Sequence, residues 1–227
     1  MATAWAAQDG HATRTGVVAR VQRQAPESRW RVMRTGCTWD DVGVTRIVAG
    51  SAGGRRLKVP PKGTRPTSER VREALFSSLE ALVDLDGVKV LDLYAGSGAL
   101  GFEALSRGAG HATFVESDKR AADVLKGNAK ELGFADTVVV NRTAEAYVSG
   151  EGEKFDVVFA DPPYAVGDDE LAKVLRGVVP RLAEDAILIV ERASRSGEPA
   201  WPEEVESLRA KRYGDTAVYW AQVRSDG

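Results

Sequence analysis

The chain holds one cysteine and two histidines in 227 residues. A lone Cys37 can close no internal disulfide and builds no thiolate metal site by itself, so a disulfide scaffold is excluded and a reducing compartment expected. His11 and His111 are too few to furnish a zinc centre, and no metal is expected. No apolar run approaches the roughly 20 residues that span a bilayer, and none forms the core of a secretory signal. Asp9, Glu27, Asp40 and Asp41 argue against a transit peptide, which is poor in acids. A soluble cytoplasmic protein, monomeric by default, is the expectation.

Net charge is small, at −2, but its distribution is uneven. Residues 1–43 carry +2, residues 44–76 carry +6 and residues 77–227 carry −10. A short basic stretch on an acidic body suits a protein with one face for a polyanion. A solvated basic loop would give the same count.

Three segments follow. Residues 1–43 show no periodicity and read as a disordered extension or a misplaced start, with Met33, or Val44 from a GTG codon, as the alternative initiator. Residues 44–84 open with TRIVAG and RRLKVP around Ser51, Ala52, Gly53 and Gly54, which predicts a hairpin. Pro66 then forces Arg65 to be extended, and Thr67 or Ser68 caps a helix. Its buried stripe is read as Val71, Ala74, Leu75, Ser78, Leu79 and Leu82, with Arg70 and Arg72 on opposite flanks. Residues 85–227 alternate strand and helix: VKVLDL, ATFVES, TVVVN, FDVVFA and AILIVE as strands, with helices closed by Gly108 and Gly133 and a further one from about Asp169 to Leu182. The end, AKRYGDTAVYWAQV, reads as two strands around Gly214 and Asp215. The fold class expected is α/β, a mostly parallel seven-stranded sheet with helices on both faces.

Asp92-Leu93-Tyr94-Ala95-Gly96-Ser97-Gly98 leaves a buried strand and enters a helix. Glycines there let backbone pass close under a ligand, and free amides at a helix start favour negative charge. Gly96, Gly98 and Gly101 also fit G-x-G-x-x-G, so a dinucleotide site stays open at this point. Glu116, ending the next strand, is placed to accept hydrogen bonds from ribose hydroxyls of either cofactor. DLYAGSG, with its acid ahead of the glycines, resembles the cofactor loop of class I (Rossmann-like) methyltransferases. Asp161-Pro162-Pro163-Tyr164 follows FDVVFA, and its prolines stiffen a turn at the sheet's carboxyl edge, where ligands of open α/β sheets bind. An exocyclic amine has a delocalised lone pair and attacks a methyl sulfonium poorly. The Asp161 carboxylate and the Pro162 carbonyl, accepting its N–H bonds, would free that lone pair, while Tyr164 stacks on a planar base.

The pieces RIVAGSAGGRRLKVP, GTRPTSERVREALF, DLYAGSGALGFEALSRGA, FVESD and DPPY resemble the bacterial 16S ribosomal RNA (guanine(966)-N(2))-methyltransferases from about Thr45 to Gln222. The resemblance implies S-adenosyl-L-methionine as cofactor and one guanine of 16S rRNA as target, within a partly assembled small subunit carrying ribosomal proteins. Carried over by position, it places Asp92, Ala95, Gly96, Ser97 and Gly98 at the methionine and sulfonium end and Glu116 on the ribose. Ser117 falls at the adenine edge, and Thr143 or Ala144 offers the adenine a backbone amide. Arg55, Arg56, Lys58, Lys62 and Arg65, with Arg70 or Arg72, are the expected phosphate contacts. Trp201, Tyr213, Tyr219 and Trp220 read as core or edge-strand residues. Residues 1–43 depart from the family pattern, which begins near the hairpin.

Three rivals remain at this point: a DNA adenine-N6 or protein glutamine methyltransferase, an NAD-dependent oxidoreductase, and a non-catalytic RNA-binding scaffold. The first usually carries an added recognition region for which no stretch is long enough. The second shares the glycine loop, and the third would have no need of Asp161.

Overall fold

A computed structural model of the chain describes residues 44–60 and 68–224. The readings of residues 1–43, Lys62, Arg65, Pro66 and Thr67 lie outside the described residues.

The expected hairpin is present. β1 (Val44–Arg46) and β2 (Arg56–Lys58) pair antiparallel, with Arg46 opposite Arg56. Ile47 and Leu57 are buried, so the short hairpin is held by its apolar face rather than by its few ladder bonds. α1 (Glu69–Leu79) starts at Ser68, whose hydroxyl accepts from the Val71 amide at 3.3 Å.

Seven strands form the main sheet: β3 (Lys89–Leu93), β4 (His111–Val115), β5 (Thr137–Val140), β6 (Phe155–Ala160), β7 (Leu182–Ala193), β8 (Val205–Tyr213) and β9 (Thr216–Val223). Their order is β5-β4-β3-β6-β7-β9-β8. β3 to β7 pair in parallel, and β9 runs antiparallel to both its neighbours. The order reverses between β3 and β6, and that switch point opens a crevice at the carboxyl ends of the strands. Around the sheet run α2 (Ala99–Ser106), α3 (Lys119–Leu132), α4 (Ala144–Val148) and α5 (Asp168–Val178).

The near-continuous apolar strands bury both faces. Val90, Phe114, Phe159, Ile189 and Trp220 meet Leu75, Phe76 and Leu79 of α1 together with α2 and α3, in the core that also takes Ile47 and Leu57. Leu91, Leu93, Val158 and Leu188 meet α4 and α5 on the other face. β8 grips α1 as well: Arg209 donates to the Ser78 carbonyl at 2.6 Å and Lys211 to the Ser78 hydroxyl at 2.8 Å. Tyr219 and Trp220 are buried and Tyr213 and Trp201 half-buried, as their reading as core or edge residues requires.

Four boundaries differ from expectation. α5 stops at Val178, and a 3₁₀ turn over Val179–Arg181 leads into β7 at Leu182, because Pro180 has no amide to continue the helix. α4, too short to show periodicity, was not foreseen. β8 begins at Val205 rather than Ala210, its mostly exposed edge lacking apolar alternation. The buried stripe of α1 is Arg72, Leu75, Phe76, Ser78 and Leu79, while Leu82 lies beyond the helix and is exposed.

Candidate active site

The loop leaving β3 is strained where a ligand would press against it. Tyr94 has φ +61°, Gly96 +54° and Gly98 +79°, so three left-handed residues fall within five positions. Gly98 is the N-cap of α2 and offers no side chain to the helix start, leaving that end to a ligand. A Cβ on Gly98 would lie 2.5 Å from Leu125 and Phe102, so both conformation and packing demand glycine. In front of Gly96 the space is open, the nearest atom to a Cβ being the Tyr94 carbonyl at 4.0 Å. Ala95 and Ser97 are buried in the same loop.

Asp92 is 2% exposed and accepts from the Gly101 amide at 2.9 Å, fastening β3 to the first turn of α2. Burial pushes its carboxyl up to about 8, the Gly101 bond opposing and Glu116 adding to the rise. A cationic amino group would relieve that destabilised carboxylate. Glu116 accepts from the Gly96 amide at 2.9 Å and the Asp118 amide at 2.7 Å, so it shapes the loop and faces the space before it. Exposed Ser117 lies beside it, and Asn141 donates to the carbonyls of Glu116 and Ser117 at 2.8 and 2.9 Å. That bridge draws the ends of β4 and β5 together and brings Thr143 to the same edge. Thr143 caps α4 through its hydroxyl, 3.2 Å from the Ala146 amide, and the Ala144 side chain is buried in the core. Only backbone at these two positions is thus free to meet an adenine. The residues fit an adenosyl cofactor: a buried acid at Asp92, open space before Gly96 and the acceptor Glu116 lie around one loop.

Across the switch point, Asp161 leaves β6 beside Leu93, its amide 3.5 Å from the Leu93 carbonyl. Asp161 and Pro162 are half-buried, Pro163 is exposed, and Tyr164 is 69% exposed. The Pro163 carbonyl accepts from Val166 at 2.9 Å, whereas the Pro162 carbonyl accepts no hydrogen bond among the described residues. The turn therefore presents one carboxylate and one open carbonyl together, with an aromatic ring at the rim. Burial, then Glu191, then Asp92 push the Asp161 carboxyl well above the ordinary range. Glu191, which the sequence reading missed, follows Val190, the β7 partner of Ala160, and so lies beside this turn.

The basic candidates separate. Arg72 is fully buried, paired with Glu103 of α2 at 3.7 Å and donating to Thr45 at 3.3 Å and to the Arg46 carbonyl. Its assignment to phosphate is corrected: a guanidinium in the core cannot meet RNA. Arg55 donates to the Leu132 carbonyl at 2.7 Å and to the Glu131 carbonyl, closing the end of α3, and Lys58 pairs with Glu131. Arg56 and Arg70 are exposed, and neither forms an ion pair among the described residues. Exposed Arg46, opposite Arg56, was missed by the sequence reading. Like charges directly opposed on a hairpin repel, and an anion between them would relieve it.

Two buried polar side chains join this basic element to the cofactor loop. Glu103 accepts from the Val48 and Ala49 amides at 2.6 and 3.0 Å and from Arg107 at 2.9 Å. Asn128 accepts from the Lys58 amide at 3.0 Å and donates to the carbonyls of Lys58 at 2.9 Å and Ser97 at 3.0 Å. Gly50 backs directly onto α2, where a Cβ would fall 1.8 Å from the Ser106 carbonyl oxygen.

Among the described residues no group of His, Cys, Asp and Glu is arranged to hold a metal, and no helix is long and apolar enough to cross a membrane.

The sheet order, the strained loop after β3 and the DPPY turn after β6 define a class I S-adenosylmethionine-dependent methyltransferase. Residues 45–222 match the family model described as Conserved hypothetical protein 95. Ribosomal RNA small subunit methyltransferase D of Escherichia coli is 38% identical over 186 residues, covering 82% of this chain and 93% of that protein. YlbH of Bacillus subtilis is 35% identical over 178 residues, covering 76% and 96%. The solved structure of the yhhF protein of Escherichia coli superposes with a TM-score of 0.72 at 35% identity, covering 80% of this chain and 98% of that one. The chain belongs to this family, which includes the small-subunit ribosomal RNA methyltransferases D.

Proposed function

We propose that this protein transfers a methyl group from S-adenosylmethionine to the exocyclic N2 of a guanine in 16S ribosomal RNA, within a partly assembled small subunit in the cytoplasm. The observation that carries the amino-group reading is the pairing of the Asp161 carboxylate with the open Pro162 carbonyl at the switch point. The RNA reading draws on the printed name of the Escherichia coli relative and on the exposed arginines of the hairpin.

When bound, the cofactor supplies an electrophilic methyl group. Asp92 would hold its amino end, Glu116 its ribose, and the amides near Ser117, Thr143 and Ala144 its adenine. Asp161 and Pro162 accept the two N–H bonds of the amine and turn its lone pair toward the methyl carbon. Tyr164 covers the face of the base. An amine that has taken a methyl group must shed one proton, and the Asp161 carboxylate is placed to receive it. Arg46, Arg56 and Arg70 meet phosphates, while Arg55 and Lys58 secure the hairpin that carries them.

The test supplies radiolabelled cofactor with naked 16S RNA, small subunits and DNA separately. Label entering RNA or subunits is expected. Label in DNA alone, or in none, contradicts the proposal.

A further inference from the structure

In the parallel pairing of β6 with β7, Phe159 faces Ile189 and Ala160 faces Val190. The next residues along the two strands are Asp161 and Glu191. Side chains alternate along a strand, so Asp161 shares its face with Phe159, and Glu191 shares its face with Ile189. Asp92 pairs with Phe159 and lies on that face too. It is the face covered by α1, where the Phe76 ring lies 5.6 Å from that of Phe159. Glu191 is half-buried at this carboxyl edge, one strand spacing, about 4.8 Å, from the backbone of Asp161.

A base whose amino group lies on Asp161 and Pro162 must present the neighbouring atom of its Watson–Crick edge to one side. In guanine the atom beside N2 on that edge is N1, which carries a hydrogen. In adenine and cytosine the corresponding ring nitrogen beside the amine is a bare acceptor. We propose that Glu191 is a specificity-determining residue that accepts the N1–H of the target guanine and repels the lone pair that adenine or cytosine would present there. The inference rests on the guanine reading above and extends it by naming a residue that distinguishes guanine from the other amino-bearing bases.

Electrostatics agree with the placement. Glu191 raises the Asp161 carboxyl second only to burial, so the two acids sense each other across the strands. Two adjacent carboxylates raise each other's affinity for a proton, and a guanine would bring an N–H bond to each. A site built to bond a particular N–H rejects analogues lacking it far more strongly than an apolar pocket rejects a missing methylene.

The experiment uses the full chain and small subunits assembled on 16S RNA carrying either guanine or 2-aminopurine at the methylated position. 2-Aminopurine keeps the amine but has no hydrogen on N1. Wild type is expected to favour guanine by about 100-fold in kcat/KM. Glu191→Gln, whose amide can donate to a bare N1, should lower turnover of guanine about 10–100-fold and shrink that preference to below about 10-fold. A wild type indifferent to the substitution overturns the inference without any variant. A Glu191→Gln enzyme that retains the full preference overturns it equally. A wild type that labels small subunits at adenine instead removes the guanine reading and the inference together, an outcome separable from either of the others.

Discussion

Arg72 of α1 and Glu103 of α2 face each other at 3.7 Å with neither side chain exposed to solvent. The same carboxylate receives the Val48 and Ala49 amides and Arg107, so one buried acid binds hairpin, α1 and α2 together. Since Gly98 caps α2, the element that carries the exposed arginines is fixed to the element that frames the glycine loop.

Removing one partner of that pair should unfold the arrangement. Glu103→Ala leaves Arg72 charged in the core and two amides without acceptors, and is predicted to cost about 3–5 kcal/mol in denaturant unfolding. RNA affinity should fall with it. A loss under about 1 kcal/mol would mean that the pair does not join the elements as described.

The hairpin arginines should divide by role. Arg46→Ala with Arg56→Ala is predicted to reduce the slope of log affinity for RNA against log salt by about 1 per lost phosphate contact, leaving cofactor binding unchanged. Arg55→Ala is predicted to lower thermal stability with little change in that slope, because its guanidinium closes α3. Equal slope changes in both would restore Arg55 as a phosphate contact.

Asp92 gives a prediction with a sign. Its carboxyl is raised to about 8 in the fold, so between the unfolded value near 4 and about 8 the native state binds the extra proton. Stability therefore declines as pH rises through that window. Asp92→Asn keeps an acceptor for Gly101 without the buried charge, and is predicted to raise Tm by about 5 °C at pH 8, with the gain shrinking toward pH 5, while weakening cofactor binding. Calorimetry at the two pH values checks it, and a gain independent of pH would contradict the ionisation argument.

With Asp161 accepting the amine as proposed, transfer needs it ionised, and its raised carboxyl predicts a rate that rises with pH. Glu191 and Asp92 both add to that rise, so Glu191→Gln should move the acid limb of the kcat profile to lower pH. A limb that stays in place would show that the two acids are uncoupled in the working enzyme.

The candidate site's elements were legible in the sequence because their signals are local. DLYAGSG and DPPY each announce a strand end and a turn within seven residues, and both lie at the switch point. Arg72 was misread because a helical wheel shows which way an arginine points and not what meets it. Its partner Glu103 lies 31 positions away in the chain, and the real stripe, rotated to take in Phe76, includes a charge that only this pair makes tolerable. Arg55 and Lys58 looked like phosphate ligands for the same reason, their partners being on α3. Asn128 and Asn141 gave no signal, since a single asparagine in a helix or at a strand end carries no pattern. Pro180 did give one, and it explains where α5 stops. Glu191 was visible as the last letter of AILIVE, but its significance appears only when β7 is known to lie beside β6 in register.

Asp161→Ala separates catalysis from folding. Loss of turnover by at least about 10³-fold is expected, with cofactor affinity within about 3-fold of wild type, measured by single turnover and calorimetry. Unchanged turnover would remove Asp161 from the chemistry.

The most direct measurement is the identity of the methylated nucleoside. Small subunits treated with the wild-type protein and labelled cofactor are digested, and the labelled nucleoside is separated by mass. N2-methylguanosine is predicted, and N6-methyladenosine, or label retained on protein, would contradict the account.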